Sequence, residues 1–305
     1  MNERATPKLT VVEHATKVSP EIRAGLRDAL AAAGIDASWR KIPKARKATK
    51  AVEMSLEDGA EVVVVCGGDG TVRAATQALV DTGVPMAVVP AGTANLFATG
   101  LGLPTDPAEV IRLVTSGQRR ALDTGECNDL VFNVMAGAGF DVAMVEDADA
   151  AKEQLGFLAY VRAGFTNARH RQPFETRVCI DGTPFFEGPA TCVLVGNLGT
   201  LKGGIKAFPD ASPTDGQLDI AVVTAQGLRE WAALMVRTAR RRQRTSPDVH
   251  LSRGTKIDVR LDEAHRFELD GGGKGTAKRL RFKVRPGSLV VCAPDDATER
   301  ADYAS

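Results

Sequence analysis

Gly67, Gly68 and Gly70, set around Asp69 and closed by Thr71, follow a valine-rich run (Glu61–Cys66) and precede a segment of helical character, Val72–Thr82. Strand, glycine turn and helix in that order suit phosphate binding. Glycine lets backbone N–H groups approach phosphate oxygens, and a helix N-terminus adds favourable partial charge. Asp69 is unusual in such a loop, because a carboxylate repels phosphate unless magnesium or ordered water lies between them; it points to a metal–nucleotide ligand. The competing reading is a tight strand-to-helix turn in which Asp69 caps the helix. A second loop of similar composition, Pro90-Ala91-Gly92-Thr93-Ala94-Asn95, follows the next strand, Met86–Val89. Loops after neighbouring parallel strands emerge at the same carboxyl edge, where ligands bind. Two such loops argue for a nucleotide site more strongly than either alone.

The elements that must position these loops alternate between strand and helix. Leu9–Glu13 reads as a strand, Glu21–Ala33 as a helix stopped by Gly34, and Ala45–Asp58 as a second helix. The unbroken valine run suits a parallel strand buried on both faces. Together they predict an α/β fold with an open parallel sheet covered by helices. Beyond Asp123 the segments become short and strand-like, at Leu130–Val134, Phe174–Ile180, Ala190–Gly196, Leu218–Thr224, Thr255–Leu261, Arg266–Leu269 and Leu280–Val284. That pattern predicts an antiparallel, sandwich-like second domain, interrupted by helices at Leu155–Arg169 and Leu228–Arg242. The expected division is residues 1–122 for the nucleotide-binding domain and 123–287 for the β-rich domain. Residues 288–305 form a last strand, Ser288–Cys292, and a tail returning toward the first domain.

Bulk properties narrow the classes. The 305 residues are 44% hydrophobic and 25% charged, with a net charge of +1, so no global field recruits nucleic acid. The five cysteines are scattered without metal-ligand spacing, and the four histidines form no evident triad. No apolar run approaches the roughly 20 residues that span a bilayer. A cytoplasmic protein is expected, with membrane contact at most peripheral; exposed sandwich edges would permit a homodimer.

With both loops in view, Gly67–Thr71 followed by Pro90-Ala91-Gly92-Thr93-Ala94-Asn95-Leu96-Phe97-Ala98-Thr99-Gly100-Leu101-Gly102-Leu103-Pro104 resembles the diacylglycerol-kinase-like catalytic domain, whose family includes the sphingosine kinases. The likeness continues through Leu122–Gly125, Phe132 to Asp141, Gly196-Asn197, Gly203-Gly204, Pro209 to Asp219, Asp270-Gly271 and Arg285–Gly287. The resemblance implies an ATP- and magnesium-dependent kinase acting on a hydroxyl of diacylglycerol or a related lipid alcohol at a membrane surface. It also implies that Gly67, Gly68, Asp69, Gly70, Thr71, Gly92, Thr93 and Asn95 serve the nucleotide. Asp215 would bind a structural magnesium, assisted by backbone oxygens near Ser212 and Gln217; on the residues alone Asp215-Gly216 reads as a hairpin turn, and only the resemblance sets the metal reading level with it.

Three departures qualify the pattern. The family's Asn-Pro and glycine after the first strand are replaced by Glu13-His14-Ala15-Thr16, and a threonine expected near the second strand's end gives way to Lys41. Thr16 and Lys41 are candidate substitutes. The family's Asp-Gly-Glu, whose glutamate is assigned as proton acceptor, is here Asp270-Gly271-Gly272, leaving Asp270 as the candidate catalytic base. General-base help is worth about 10²–10⁴-fold, so a slow kinase or a nucleotide- or lipid-binding homologue are alternatives. An NAD kinase, which shares Gly-Gly-Asp-Gly-Thr, is another. Leu228–Arg242, ending in several arginines, reads first as a helix with its apolar stripe inward and second as a surface for anionic headgroups.

Overall fold

In the computed structural model, which describes residues 7–139, 173–199, 207–239 and 246–294, the valine-rich segments anchor the first sheet. β1 (Leu9–His14) lies parallel between β2 (Ala37–Ile42) and β3 (Val62–Gly67), and β4 (Met86–Pro90) runs parallel to β3. β1, β3 and β4 are buried along their whole lengths, which their near-continuous apolar sequence requires. β2 is the half-exposed edge strand and carries Ser38, Arg40 and Lys41.

Five helices follow from local signals. α1 (Pro20–Ala32) starts on Ser19, whose Oγ accepts the Ile22 N–H at 3.3 Å, and it stops at Gly34 with φ +67°. The expected second helix opens as a 3-10 turn, Ala45–Lys47, before α2 (Ala48–Glu57). α3 (Asp69–Leu79) begins inside the glycine motif, earlier than the predicted Val72, because Gly68 takes the N-cap position with extended backbone. α4 (Leu96–Gly100) and α5 (Pro107–Ser116) complete the set. Leu26, Leu30, Val64, Val89, Val110 and Val114 belong to the core they share with the sheet.

Two compact units result, Met1–Thr124 with Pro286–Ser305, and Gly125–Arg285. At the crossings, Gly287 N–H donates to Asp123 Oδ1 at 2.8 Å, and the Thr124 and Ser288 hydroxyls lie 2.9 Å apart. Beyond them, Val291 pairs parallel with Met86 and adds a further strand to the first sheet.

The second unit is antiparallel. Beside β5 (Arg120–Cys127) and β6 (Leu130–Phe132) stand β7 (Met135–Ala138), β8 (Phe174–Ile180), β9 (Thr183–Ala190), β10 (Cys192–Gly196), β11 (Leu218–Val223) and β12 (Val249–Gly254). The strand path β12-β11-β10-β7 continues to β13 (Lys256–Leu269), which also pairs with β8 and with β14 (Gly272–Val291). Thr255–Leu261 and Arg266–Leu269, expected as two strands, are one strand. The polar stretch between them interrupts the hydrophobic alternation and shifts the register between Arg260 and His265, yet the strand continues. β14 likewise merges the expected Leu280–Val284 and Ser288–Cys292 strands. α6 (Leu228–Ala239) buries Trp231 and Leu234 against Cys192, Val223 and Ala225, which is the inward-stripe reading of that segment. The expected helix at Leu155–Arg169, Gly203-Gly204 and the arginines from Arg240 onward lie outside the described residues. Among the described residues, no helix is long and apolar enough to cross a membrane.

Candidate active site

The two glycine loops meet through bare backbone. A Cβ built on Gly92 would lie 2.6 Å from Gly68 Cα, and one on Gly68 would lie 3.0 Å from Gly92 Cα. Ala91 N–H donates to Gly67 O at 3.0 Å, tying the strand ends together. A Cβ on Gly67 would fall 2.7 Å from the Thr71 side chain, so this glycine exists to admit Thr71 beneath the loop. Unlike α1 and α5, α3 has no side chain capping its N-terminus. Thr71 and Val72 N–H donate to Gly68 O at 2.8 and 3.1 Å, which leaves the Asp69 and Gly70 amides to an anionic ligand. Asn95, at φ +48°, closes the second loop on itself: Oδ1 accepts the Gly92 N–H at 2.8 Å and Nδ2 donates to Gly92 O at 2.9 Å.

Within this cradle the predicted residues divide by role. Gly68, Asp69, Gly70 and Gly92 line the junction, and Thr93 is exposed beside it. Thr71 is 1% exposed and packs under Gly67, so its side chain supports the loop from within. Asp69 caps a helix, but not its own: Oδ1 accepts the N–H of Phe97, at the start of α4, at 3.1 Å. This bond accounts for a carboxylate in a phosphate-type loop without a metal.

A cation at the cradle escaped the sequence reading. Lys17 Nζ lies 3.8 Å from the position a Gly68 Cβ would take. The candidate substitutes stand differently: Thr16 Oγ1 is 3.4 Å from His14 Nδ1, and Lys41 is exposed on β2 opposite Glu13. Glu13 is buried and pairs with Arg23 at 3.0 Å. Burial, and then the Lys17 ammonium, lower the His14 pKa below the usual imidazole value, which favours its neutral form. Position alone could have singled out Lys17, since it follows a buried strand at the sheet's carboxyl edge.

In the second unit, Asp270 and Gly271 are the two residues of the β13–β14 hairpin turn, with φ of +46° and +74° and Leu269 paired to Gly272. Positive φ at both central positions is the demand of a type I′ turn, which Asp-Gly meets. The Asp270 carboxylate is buried and accepts three backbone N–H groups, from Asn133 at 2.8 Å, Val134 at 2.8 Å and Met135 at 3.1 Å. Asp270 N–H returns a bond to Met135 O at 2.8 Å. Asn197 joins the same knot, donating from Nδ2 to Asn133 O at 3.0 Å and from its backbone to Val134 O at 2.9 Å. Three separated sequence blocks thus converge on one buried hydrogen-bond cluster. The expectation that Asp270 acts as base meets a carboxylate already employed in holding Asn133–Met135.

Ser212, Asp215 and Gln217 share one turn, which its own side chains brace. Asp215 Oδ1 accepts the Gln217 N–H at 3.0 Å, and Ser212 Oγ is 3.1 Å from Thr214 Oγ1. Arg253 stands 3.8 Å from Asp215, 3.8 Å from Asp219 and 3.9 Å from Asp210, supplying the positive charge a cation would bring. Among the described residues no cluster of three or more His, Cys, Asp or Glu could hold a metal ion. Four of the five cysteines are buried and Cys179 is half-buried; burial pushes the thiols of Cys127 and Cys292 up to about 12 and about 11.

An open parallel sheet with paired glycine loops, followed in sequence by an antiparallel β-rich unit, is the plan of the chain. Residues 13–127 match the family described as the diacylglycerol kinase catalytic domain, and residues 134–293 match the YegS C-terminal NAD kinase beta sandwich-like domain. The chain belongs to the diacylglycerol-kinase-like family of kinases. A diacylglycerol kinase of Staphylococcus saprophyticus is 28% identical over 87% of this chain and 87% of its own. An uncharacterized protein of Synechocystis sp. is 33% identical over 82% of this chain, which spans 58% of that relative's length. The crystal structure of a diacylglycerol kinase from Bacillus anthracis superposes with a TM-score of 0.71, at 21% identity, over 96% of this chain and 99% of that one, a likeness of fold.

Proposed function

We propose that this protein transfers the γ-phosphoryl group of ATP, taken with magnesium, to a hydroxyl of diacylglycerol or a related lipid alcohol. The observation that carries this reading is the backbone contact of Gly68 with Gly92 beside an uncapped helix N-terminus. Bound ATP would supply the phosphoryl group. The amide edge of Gly68–Gly70, the exposed Thr93 and the Lys17 ammonium would hold its phosphates, with Gly92 leaving room for them, the amides and ammonium offsetting charge as the bond to the leaving group breaks. Asn95 and Thr71 would keep the cradle's shape. Asp270 is assigned to positioning the 133–135 backbone, which leaves the acceptor hydroxyl without a dedicated carboxylate at Gly272 and makes the enzyme slow. Membrane contact at the periphery follows from the acceptor's nature.

The test is a phosphorylation assay with labelled ATP, magnesium and a panel of lipid alcohols and NAD, read by mass. Label in a lipid, lost in Gly92→Ala, supports the proposal. Label in NAD alone would assign the chain to NAD phosphorylation. ATP binding with no turnover on any acceptor would make it a nucleotide-binding homologue.

A further inference from the structure

A cluster of four cations and three carboxylates lies wholly within the Gly125–Arg285 unit. On β14, Arg279, Arg281 and Lys283 point outward in alternation with buried Leu280 and Phe282. Together with Lys256 of β13 they line a groove of about 380 Å³, at the small end of the range for small-molecule sites. Lys256 stands directly opposite Lys283 in the strand register, a like-charge pairing that costs stability and calls for compensation.

The anions in the lining are largely committed. Asp258 takes Arg279 in a two-pronged bond, at 2.7 and 2.6 Å, and Arg260 at 3.5 Å. Glu126 takes Lys283 at 2.7 Å and Arg285 at 3.0 Å. These pairs fix the flanking side chains and leave Arg281 between them. Arg281 makes no ion pair among the described residues, although Asp129 also lines the groove. Its main chain is pinned on both sides by Asn128, through bonds of 3.0 and 3.1 Å. The fixed backbone places an uncommitted guanidinium at the groove, and its planar fork matches a pair of anionic oxygens.

We propose that this groove binds a phosphate group, with Arg281 as its fork and Lys256 as the opposing point charge. The phosphate is carried either by a free phosphoester or by the headgroup of an anionic lipid. The site is separate in sequence and fold from the glycine loops, and it does not depend on the identity of the kinase substrate.

The full chain is titrated with inorganic phosphate and, separately, sedimented with phosphatidylglycerol-containing or pure phosphatidylcholine vesicles. Arg281→Gln/Lys256→Gln is compared with Lys44→Gln/Lys278→Gln, which removes the same charge outside the groove. A loss of tenfold or more for either anionic probe in the groove variant alone, with ATP affinity and melting temperature unchanged, supports the site. The probe that responds identifies the source. Equal losses in both variants, no loss in either, or selective binding of a DNA duplex instead overturns the proposal. Half-buried Cys179 lines the groove, so a bound phosphate also slows its alkylation.

Discussion

The Asp69 carboxylate accepts the Phe97 N–H at 3.1 Å, so a residue of the first glycine loop caps the helix that follows the second. With Ala91 bonded to Gly67 and Gly92 packed on Gly68, the two loops form one mechanical piece. A ligand that orders one of them meets the other already in place.

Asp69→Ala leaves the Phe97 amide without its acceptor and should lower unfolding free energy by about 1–3 kcal/mol even without ligand. Asp69→Asn keeps an acceptor oxygen and should lose less. Urea denaturation of the ligand-free variants measures both. Unchanged stability in Asp69→Ala would mean that the carboxylate serves a ligand instead.

Asp270→Ala removes the acceptor of three buried amides at once and should cost about 3 kcal/mol or more, by the same penalty per unpaired group. Where Asp270→Asn remains folded, kcat should keep the acidic limb of its pH profile. Loss of that limb would restore Asp270 to the role of base.

Gly272 has ordinary negative-φ backbone, and a Cβ there would meet nothing closer than Leu269 O at 3.5 Å. Gly272→Glu should therefore fold normally. If it supplies the absent proton acceptor, kcat for lipid phosphorylation should rise by about 10²–10⁴-fold, the usual worth of general-base help. A folded variant with unchanged kcat would show that no base is missing.

Burial raises the Asp219 carboxyl above its ordinary value, Arg253 pulls it back and Asp215 pushes it further up. A carboxyl raised in the folded state binds protons more tightly there than in the unfolded chain. Its contribution to stability therefore falls as pH climbs from the ordinary carboxylate value through the raised one. Arg253→Leu should deepen this fall, costing about 1 kcal/mol at pH 7 and less at pH 4, where the raised Asp219 carboxyl carries less charge for Arg253 to offset. Thermal melts at the two pH values decide it; an equal cost at both removes Arg253 from the account.

The parallel sheet was legible because Val62–Val65 and Met86–Val89 are apolar without alternation, and the loops because glycine and threonine recur after both strands. The edge strand β2 carries no such signal, since one side of it faces water. The β13–β14 hairpin was read in pieces because Asp262–Arg266 and Gly271–Gly275 look like loops, whereas a hairpin can carry charge outward and glycine at its turn without interruption. Contacts between distant positions had no sequence signature: Asp69 with Phe97, Asp270 with Asn133–Met135, and Arg253 among three aspartates. Each is a pairing of ordinary polar residues that only the folded chain brings together.

The first unit is broken in sequence, with its last strand arriving after the whole of Gly125–Arg285. During synthesis, the sheet that carries both glycine loops has Met86 on an open edge until Val291 leaves the ribosome. The Asp123–Gly287 and Thr124–Ser288 bonds likewise have only one partner until then. The first unit is not complete in sequence until Val291 is made, so a chain halted within the second unit carries glycine loops on an incomplete support.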